Sequence, residues 1–145
     1  MRNFKNIQAW ILASDLAVQI YTRTSNFSKE ERYGLISQMR RAAISTLANI
    51  AEGASRQHKK DYLNFLYIAR GSLSETEALL EISRRLLFLN SSLFEELTLI
   101  CQKTARCLFG LIRAVESEVY SPWSVVHSLS NSLSTKGGNH VEQII

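Results

Sequence analysis

A chain of 145 residues and 16.5 kDa with 46% hydrophobic side chains is long enough for one ordinary domain with its own core. Its 17 Lys and Arg exceed its 13 Asp and Glu, and the excess lies in residues 1–60, ten basic to four acidic, which permits an acidic partner without identifying one. No apolar h-region follows "MRNFKNIQAW" and no uncharged apolar run approaches roughly 18 residues, so neither a signal peptide nor a membrane span is expected, and cytoplasmic residence is.

Up to about residue 118 apolar side chains return every three or four positions, and the chain reads as all-α. A first helix carries Ile7, Ile11, Ser14, Val18 and Tyr21 on one side, widened by Trp10 and Ala17. "TSNFSKEE" interrupts the pattern. Ser28 and Glu31 have capping-box spacing and Phe27 is placed for a hydrophobic staple, so a second helix is expected from near Ser28 to about Gly53, where glycine relieves the backbone at the turn. A third is expected from about His58 to Leu89. One of its seams runs Tyr62, Leu66, Ala69, Leu73, Thr76, Leu80, Ser83, Leu87; beside it lie Phe65, Ile68, Ser72, Glu75, Leu79, Ile82, Leu86 and Leu89. A bundle core needs about one such stripe. The second implies a wide internal face or a subunit interface.

Ser92 and Glu95 offer another capping box for a fourth helix over 93–117. Its apolar positions are Leu93, Leu97, Ile100, Thr104, Cys107 and Leu111, flanked by Phe94, Cys101, Leu108, Ile112 and Val115. Cys101 and Cys107, six residues apart, project about 120° from one another, so two reduced packing thiols are expected rather than an intrahelical disulfide. Four long helices with short connections predict an antiparallel up-down four-helix bundle over residues 1–118. Residues 119–145, with Pro122, many serines and paired glycines, are expected to be a weakly structured, Ser-rich C-terminal appendage, with Pro122 ending helix four and Trp123 anchoring its start.

The stretch "SQMRRAAISTLANIAEG", residues 37–53, combines two patterns. Ile36, Met39, Ala43, Leu47 and Ile50 supply the larger apolar contacts. Ala42, Ser45, Thr46, Ala48 and Ala51 are small, so a neighbouring helix can approach toward the lower end of the usual separation of about 8–10 Å. A polar line, Gln38, Arg41, Ser45, Asn49 and Glu52, follows helical offsets. It has three readings: a solvated face, a buried hydrogen-bond network that fixes register, or a ligand surface. The network is favoured, because small apolar residues flank the line and an unsatisfied polar group there would be costly.

Arg40 and Arg41 diverge by about 100° and cannot share one stripe. Beyond Gly53, Arg56, Lys59 and Lys60 gather with His58 at the junction of helices two and three, either as a phosphate contact or as a solubilising helix end. Tyr62 beside them stacks on a base or, in the favoured reading, packs in the core. Arg84 and Arg85 suit the end of helix three and pair favourably with Glu81. The three histidines are far apart, no carboxylate pair carries an ExxH arrangement, and neither a phosphate loop nor a dinucleotide fingerprint is present. No catalytic residue, metal or cofactor is assigned, and no enzyme is expected.

"FKNIQAW" with Phe4, Ile7 and Trp10, "FSKEERYGLISQMRRAAIS", "NIAEG" at 49–53 and "FLYIARGSLSETEALLEI" at 65–82 together resemble the four-helix-bundle proteins encoded within intervening sequences of bacterial 23S ribosomal RNA genes. The resemblance covers about residues 4–117 and implies the bundle fold, with no molecular function assigned to the family. Ser28 and Leu47 stand where the family commonly has proline, and His58 where it commonly has serine; Leu47 favours an uninterrupted helix, and His58 weakens the cap of helix three. More distantly, the chain resembles the accessory bundle protein of diversity-generating retroelements, which implies a basic pentamer that associates with a reverse transcriptase and nucleic acid. The resulting expectation is a noncatalytic, self-associating helical scaffold with no membrane partner, contacting RNA or DNA through Arg40, Arg41, Arg56, Lys59 and Lys60. The alternative is a protein–protein scaffold that binds no nucleic acid.

Overall fold

A computed structural model describes residues 2–28, 30, 34–121, 123 and 126, and in it the chain is an all-α four-helix bundle. A short 3-10 turn, Phe4–Asn6, leads into α1 (Gln8–Arg23), followed by α2 (Leu35–Ser55), α3 (Lys59–Arg85) and α4 (Ser91–Val119). Each helix packs on the next and α4 closes against α1. Contacts across the helices set an up-down order. Arg40 near the start of α2 reaches Tyr21 and Thr24 at the end of α1; Gly53 near the end of α2 lies against Tyr62 and Phe65 near the start of α3. Lys59 at the start of α3 pairs with Glu118 at the end of α4, and Arg23 ties the end of α1 to Glu96 at the start of α4.

The core is one continuous cluster contributed by all four helices. On α3 the first predicted seam is buried from Tyr62 to Ser83, whereas Leu87 lies outside it and is exposed. The buried hydroxyls of Thr46, Thr76, Ser83 and Thr104 cost little because each bonds within its own helix, to the carbonyls of Ala42, Ser72, Leu79 and Ile100. The inward face of α1 differs from the expected one. Ala9, Ala13, Leu16, Ala17 and Ile20 are buried and Ile7 and Trp10 pack against the core at its side, while Val18 and Tyr21 are exposed, so the inward face is turned toward the alanines but keeps part of the expected stripe. On α4 the buried line is Leu97, Cys101, Thr104, Leu108, Ile112 and Val115, rotated slightly from the predicted stripe, whose Leu93, Ile100, Cys107 and Leu111 are partly buried at its side.

The helix ends differ from expectation for local reasons. The second helix starts at Leu35 rather than near Ser28: Ser28 is not helical and Gly34 takes non-helical backbone angles, and a glycine is a poor residue to carry a helix through. Glu31, the other half of the expected capping box, lies outside the described residues. Phe27 instead meets Phe88 beyond the end of α3, with ring centroids 6.0 Å apart. The cap of α4 is Asn90, whose Oδ1 accepts from the Leu93 amide at 2.8 Å, so the helix starts before Ser92. Helix α3 stops at Arg85 in a Schellman turn: the Phe88 amide donates to the Ser83 carbonyl at 2.9 Å and Leu87 to Arg84 at 3.0 Å. Helix α2 runs unbroken through Leu47. Most of the expected appendage 119–145, Pro122 included, lies outside the described residues; Val119 is the last residue of α4 and Trp123 is exposed.

Candidate nucleic-acid and self-association surfaces

Small residues on α2 let α3 approach closely at Gly53. Ala42, Ala43, Thr46, Gly53 and Ala54 are buried against α3 and α1. Gly53 has no positive φ and lies inside α2, so its role is not the expected turn. It admits α3: a Cβ there would meet Phe65 Cβ at 2.8 Å and Tyr62 Cδ2 at 2.9 Å.

The polar line divides into three parts. Ser45 and Asn49 are half-buried; Ser45 Oγ and Ser72 Oγ lie 2.8 Å apart across the α2–α3 seam, and Asn49 Nδ2 donates to the Ser45 carbonyl at 2.8 Å and to its hydroxyl at 3.1 Å. Glu52 is exposed and pairs with Arg56 one turn later, not with Arg41. Gln38 and Arg41 are exposed.

The five candidate cations do not form one surface. Arg40 bridges to α1: its Nε donates to Thr24 Oγ1 at 3.0 Å, its Nη2 to the Tyr21 carbonyl at 3.3 Å, and the guanidinium lies 4.7 Å from the Tyr21 ring centroid. A cation there answers the unpaired carbonyls at the end of α1. Arg41 lies beside it, about 22 Å along the helix from Arg56. At the other end of the bundle, Arg56 pairs with Glu52 and covers the Phe65 ring at 4.6 Å, Lys59 pairs with Glu118 at 2.6 Å, and Lys60 is exposed. Arg2, not anticipated, joins this end: its guanidinium lies 4.7 Å from the ring of the buried Tyr62, and it lines an open cleft with Ser55, Arg56 and Gln57. The tyrosine is thus a core residue whose one accessible face is covered by a cation, and burial raises its pKa. His58 is the N-cap position of α3 and its side chain makes no capping bond.

An apolar groove opens between α1 and α2 at the edge of the core. Ser14, Ala17, Val18, Tyr21, Ile44 and Leu47 line an open groove of about 390 Å³ that is almost wholly apolar, with Val18 61% and Ile44 41% exposed. The second seam of α3 is also partly uncovered, at Ile68, Ile82 and Leu86.

Sequence reasoning also passed over Lys103, Arg106 and Arg113 on α4, all exposed; their spacing of three and seven residues puts them on one helical face. Both cysteines are free. Burial pushes the Cys101 thiol up to about 12, helped by the nearby Glu77 charge, which leaves it inert at neutral pH. Among the described residues no three His, Cys, Asp or Glu side chains are grouped to hold a metal ion, and no helix is long and apolar enough to cross a membrane.

Comparison with known proteins agrees with this architecture. Residues 5–110 match the family model described as 23S rRNA-intervening sequence protein. A solved structure of a protein of unknown function from the S23 ribosomal protein family of Bacteroides thetaiotaomicron superposes with a TM-score of 0.65 at 25% identity, covering 72% of this chain and 97% of that one. No curated protein matches the sequence.

Proposed function

This chain belongs to the 23S rRNA-intervening sequence protein family, and from that premise we propose that it is a noncatalytic helical scaffold that associates with copies of itself in the cytoplasm and presents a basic surface to RNA or DNA. The observation that carries the reading is the apolar groove between α1 and α2, which leaves Val18 and Ile44 partly uncovered. Contiguous exposed apolar surface of this kind marks an interaction site, and a second copy offers matching apolar side chains at Ile68, Ile82 and Leu86. Groove and ridge are different surfaces, so the contact is head-to-tail and closes a ring when its rotation allows. Five copies is the number carried by the distant resemblance. The phosphate-facing end is formed by Arg56, Lys59 and Lys60 together with Arg2, while Arg40 and Arg41 lie toward the opposite end.

The pairing of Arg56 with Glu52 and of Lys59 with Glu118 favours the second reading, a protein-only scaffold. RNA titration separates them, and solution mass tests the assembly both require. Solution mass at micromolar concentration is expected to be a multiple of 16.5 kDa; a single-chain mass overturns self-association. Titration of labelled structured RNA at several salt concentrations is expected to show binding that Arg56→Ser, Lys59→Ser and Lys60→Ser together weaken, with a shallower salt slope and unchanged mass. No binding by the wild type near 50 mM salt makes the protein-only scaffold the function.

A further inference from the structure

The outward face of α4 is a second cationic surface. Counting 100° per residue, Lys103, Arg106 and Arg113 fall within an arc of about 80°, centred opposite the buried line of Leu97, Cys101, Thr104, Leu108, Ile112 and Val115. They span about 15 Å of helix. Several exposed cations are engaged by carboxylates: Arg23 with Glu96, Arg56 with Glu52, Lys59 with Glu118, and Arg84 and Arg85 with Glu81. Among the described residues these three make no ion pair. The acids of α4 are used elsewhere, Glu96 on Arg23, Glu116 on the Tyr67 hydroxyl and Glu118 on Lys59, and Glu95 lies two turns before Lys103.

Two further features share this face. Phe109 is 54% exposed, and the Arg113 guanidinium lies 5.9 Å from its ring centroid. Gly110 sits between Arg106 and Arg113 in mid-helix, and a Cβ there would meet nothing within 4 Å. A mid-helix glycine costs about 1 kcal/mol relative to alanine, and here no packing within the bundle accounts for it. It leaves the surface low between the two arginines, as Gly71 does on α3.

We propose that the outward face of α4 binds single-stranded nucleic acid, with phosphates on Lys103, Arg106 and Arg113 and an unpaired base on Phe109. A single strand fits better than a duplex because the ring offers a stacking platform that paired bases cannot reach, on a convex face with no groove to hold a double helix. The inference rests on the preceding reading only in taking nucleic acid as the partner; the surface is a different one.

The test is fluorescence anisotropy with labelled 12-nucleotide oligouridylate, oligothymidylate and a duplex RNA of equal length, using the whole chain. Three contacted phosphates give a contribution of about 2 to the log–log salt slope of a single strand. Replacing Lys103, Arg106 and Arg113 together with serine is therefore expected to reduce the slope by about 2 and to lower single-strand affinity at least tenfold at about 50 mM salt. Phe109→Ala is expected to weaken single strands about tenfold and leave the duplex unchanged. Uridylate and thymidylate binding alike assigns the contact to phosphate and base; preference for uridylate adds the 2′-hydroxyl. Unchanged affinity and slope in the α4 triple variant, or equal loss of duplex and single strand in Phe109→Ala, overturns the proposal. If the Arg56, Lys59 and Lys60 variant loses binding while the α4 variant keeps it, this inference fails and the earlier assignment stands. If the α4 variant alone loses binding, the earlier assignment fails. Circular dichroism and solution mass of each variant confirm that fold and assembly are retained.

Discussion

Leu87 is the residue whose backbone the fold most visibly constrains. It has a positive φ of 63° and its side chain is 88% exposed, so packing does not reward the left-handed conformation. For a leucine that conformation costs about 1–2 kcal/mol, since its Cβ crowds the carbonyl oxygen. What compels it is the residues on either side. The chain must leave α3 and turn back at once so that Leu89 reaches the core and Phe88 meets Phe27. Leu87→Gly is expected to raise stability by about 1 kcal/mol, read as a higher urea midpoint with unchanged slope. Leu87→Ala keeps the Cβ and is expected to give no comparable gain. Equal stabilisation by both would trace the effect to the exposed leucine surface instead of to the backbone.

Among the elements, the α2–α3 pair is set by what α2 lacks. With Phe65 Cβ 2.8 Å from a Cβ placed on Gly53, an added methyl meets an atom anchored directly to the α3 backbone, so a helix has to shift. Overpacking of this sort costs about 1–3 kcal/mol, against a propensity gain of up to about 1 kcal/mol for alanine. Gly53→Ala is expected to destabilise by about 1 kcal/mol or more in chemical unfolding, whereas Gly71→Ala, in mid-helix with open space around it, stabilises. Stabilisation by both would mean that α3 does not need this approach. The glycine also marks how far sequence alone reached. Periodicity was enough for four helices and for the buried seam of α3 from Tyr62 to Ser83, because burial there follows a 3.6-residue repeat. It misled on part of α1, where Val18 and Tyr21 turn outward and Ala9 and Ala13 inward beside Leu16 and Ile20, since an alanine carries little weight in an apolar pattern yet fits where a neighbour comes close. It misplaced the start of α2 by relying on cap spacing alone. For the site, adjacency in sequence grouped Arg40 and Arg41 with Arg56, Lys59 and Lys60, although a helix carries them far apart and Arg40 serves α1. Arg2 and the α4 cations were missed because only folding brings the first to Tyr62, and because a spacing of three and seven residues does not look like a cluster on the page.

Surface charge links helices at both ends of the molecule. Arg23–Glu96 ties α4 to α1, Lys59–Glu118 ties α4 to α3, and Glu81 gathers Arg84 and Arg85 at the end of α3. Hydrogen bonds from Arg84 and then Arg85 hold the Glu81 carboxyl at about 2 against an ordinary 4.5, and the bond from Lys59 lowers that of Glu118. Both are depressed in the folded state, so their stabilisation is complete above the ordinary carboxylate value and is lost as pH falls from about 4.5 toward 2. Each pair is exposed and screened, which makes the separate effects small. They act together with a growing positive charge, because the chain already carries +4 at neutral pH and every protonated carboxylate adds to the repulsion. The melting temperature, followed by circular dichroism, is therefore expected to be level from pH 8 to 5 and to fall below about 4.5. Glu81→Gln is expected to start lower at pH 7 and to decline less steeply, because the interaction that acid removes is already absent. The same decline in wild type and Glu81→Gln would assign the acid sensitivity to global repulsion, and added salt would then suppress it equally in both.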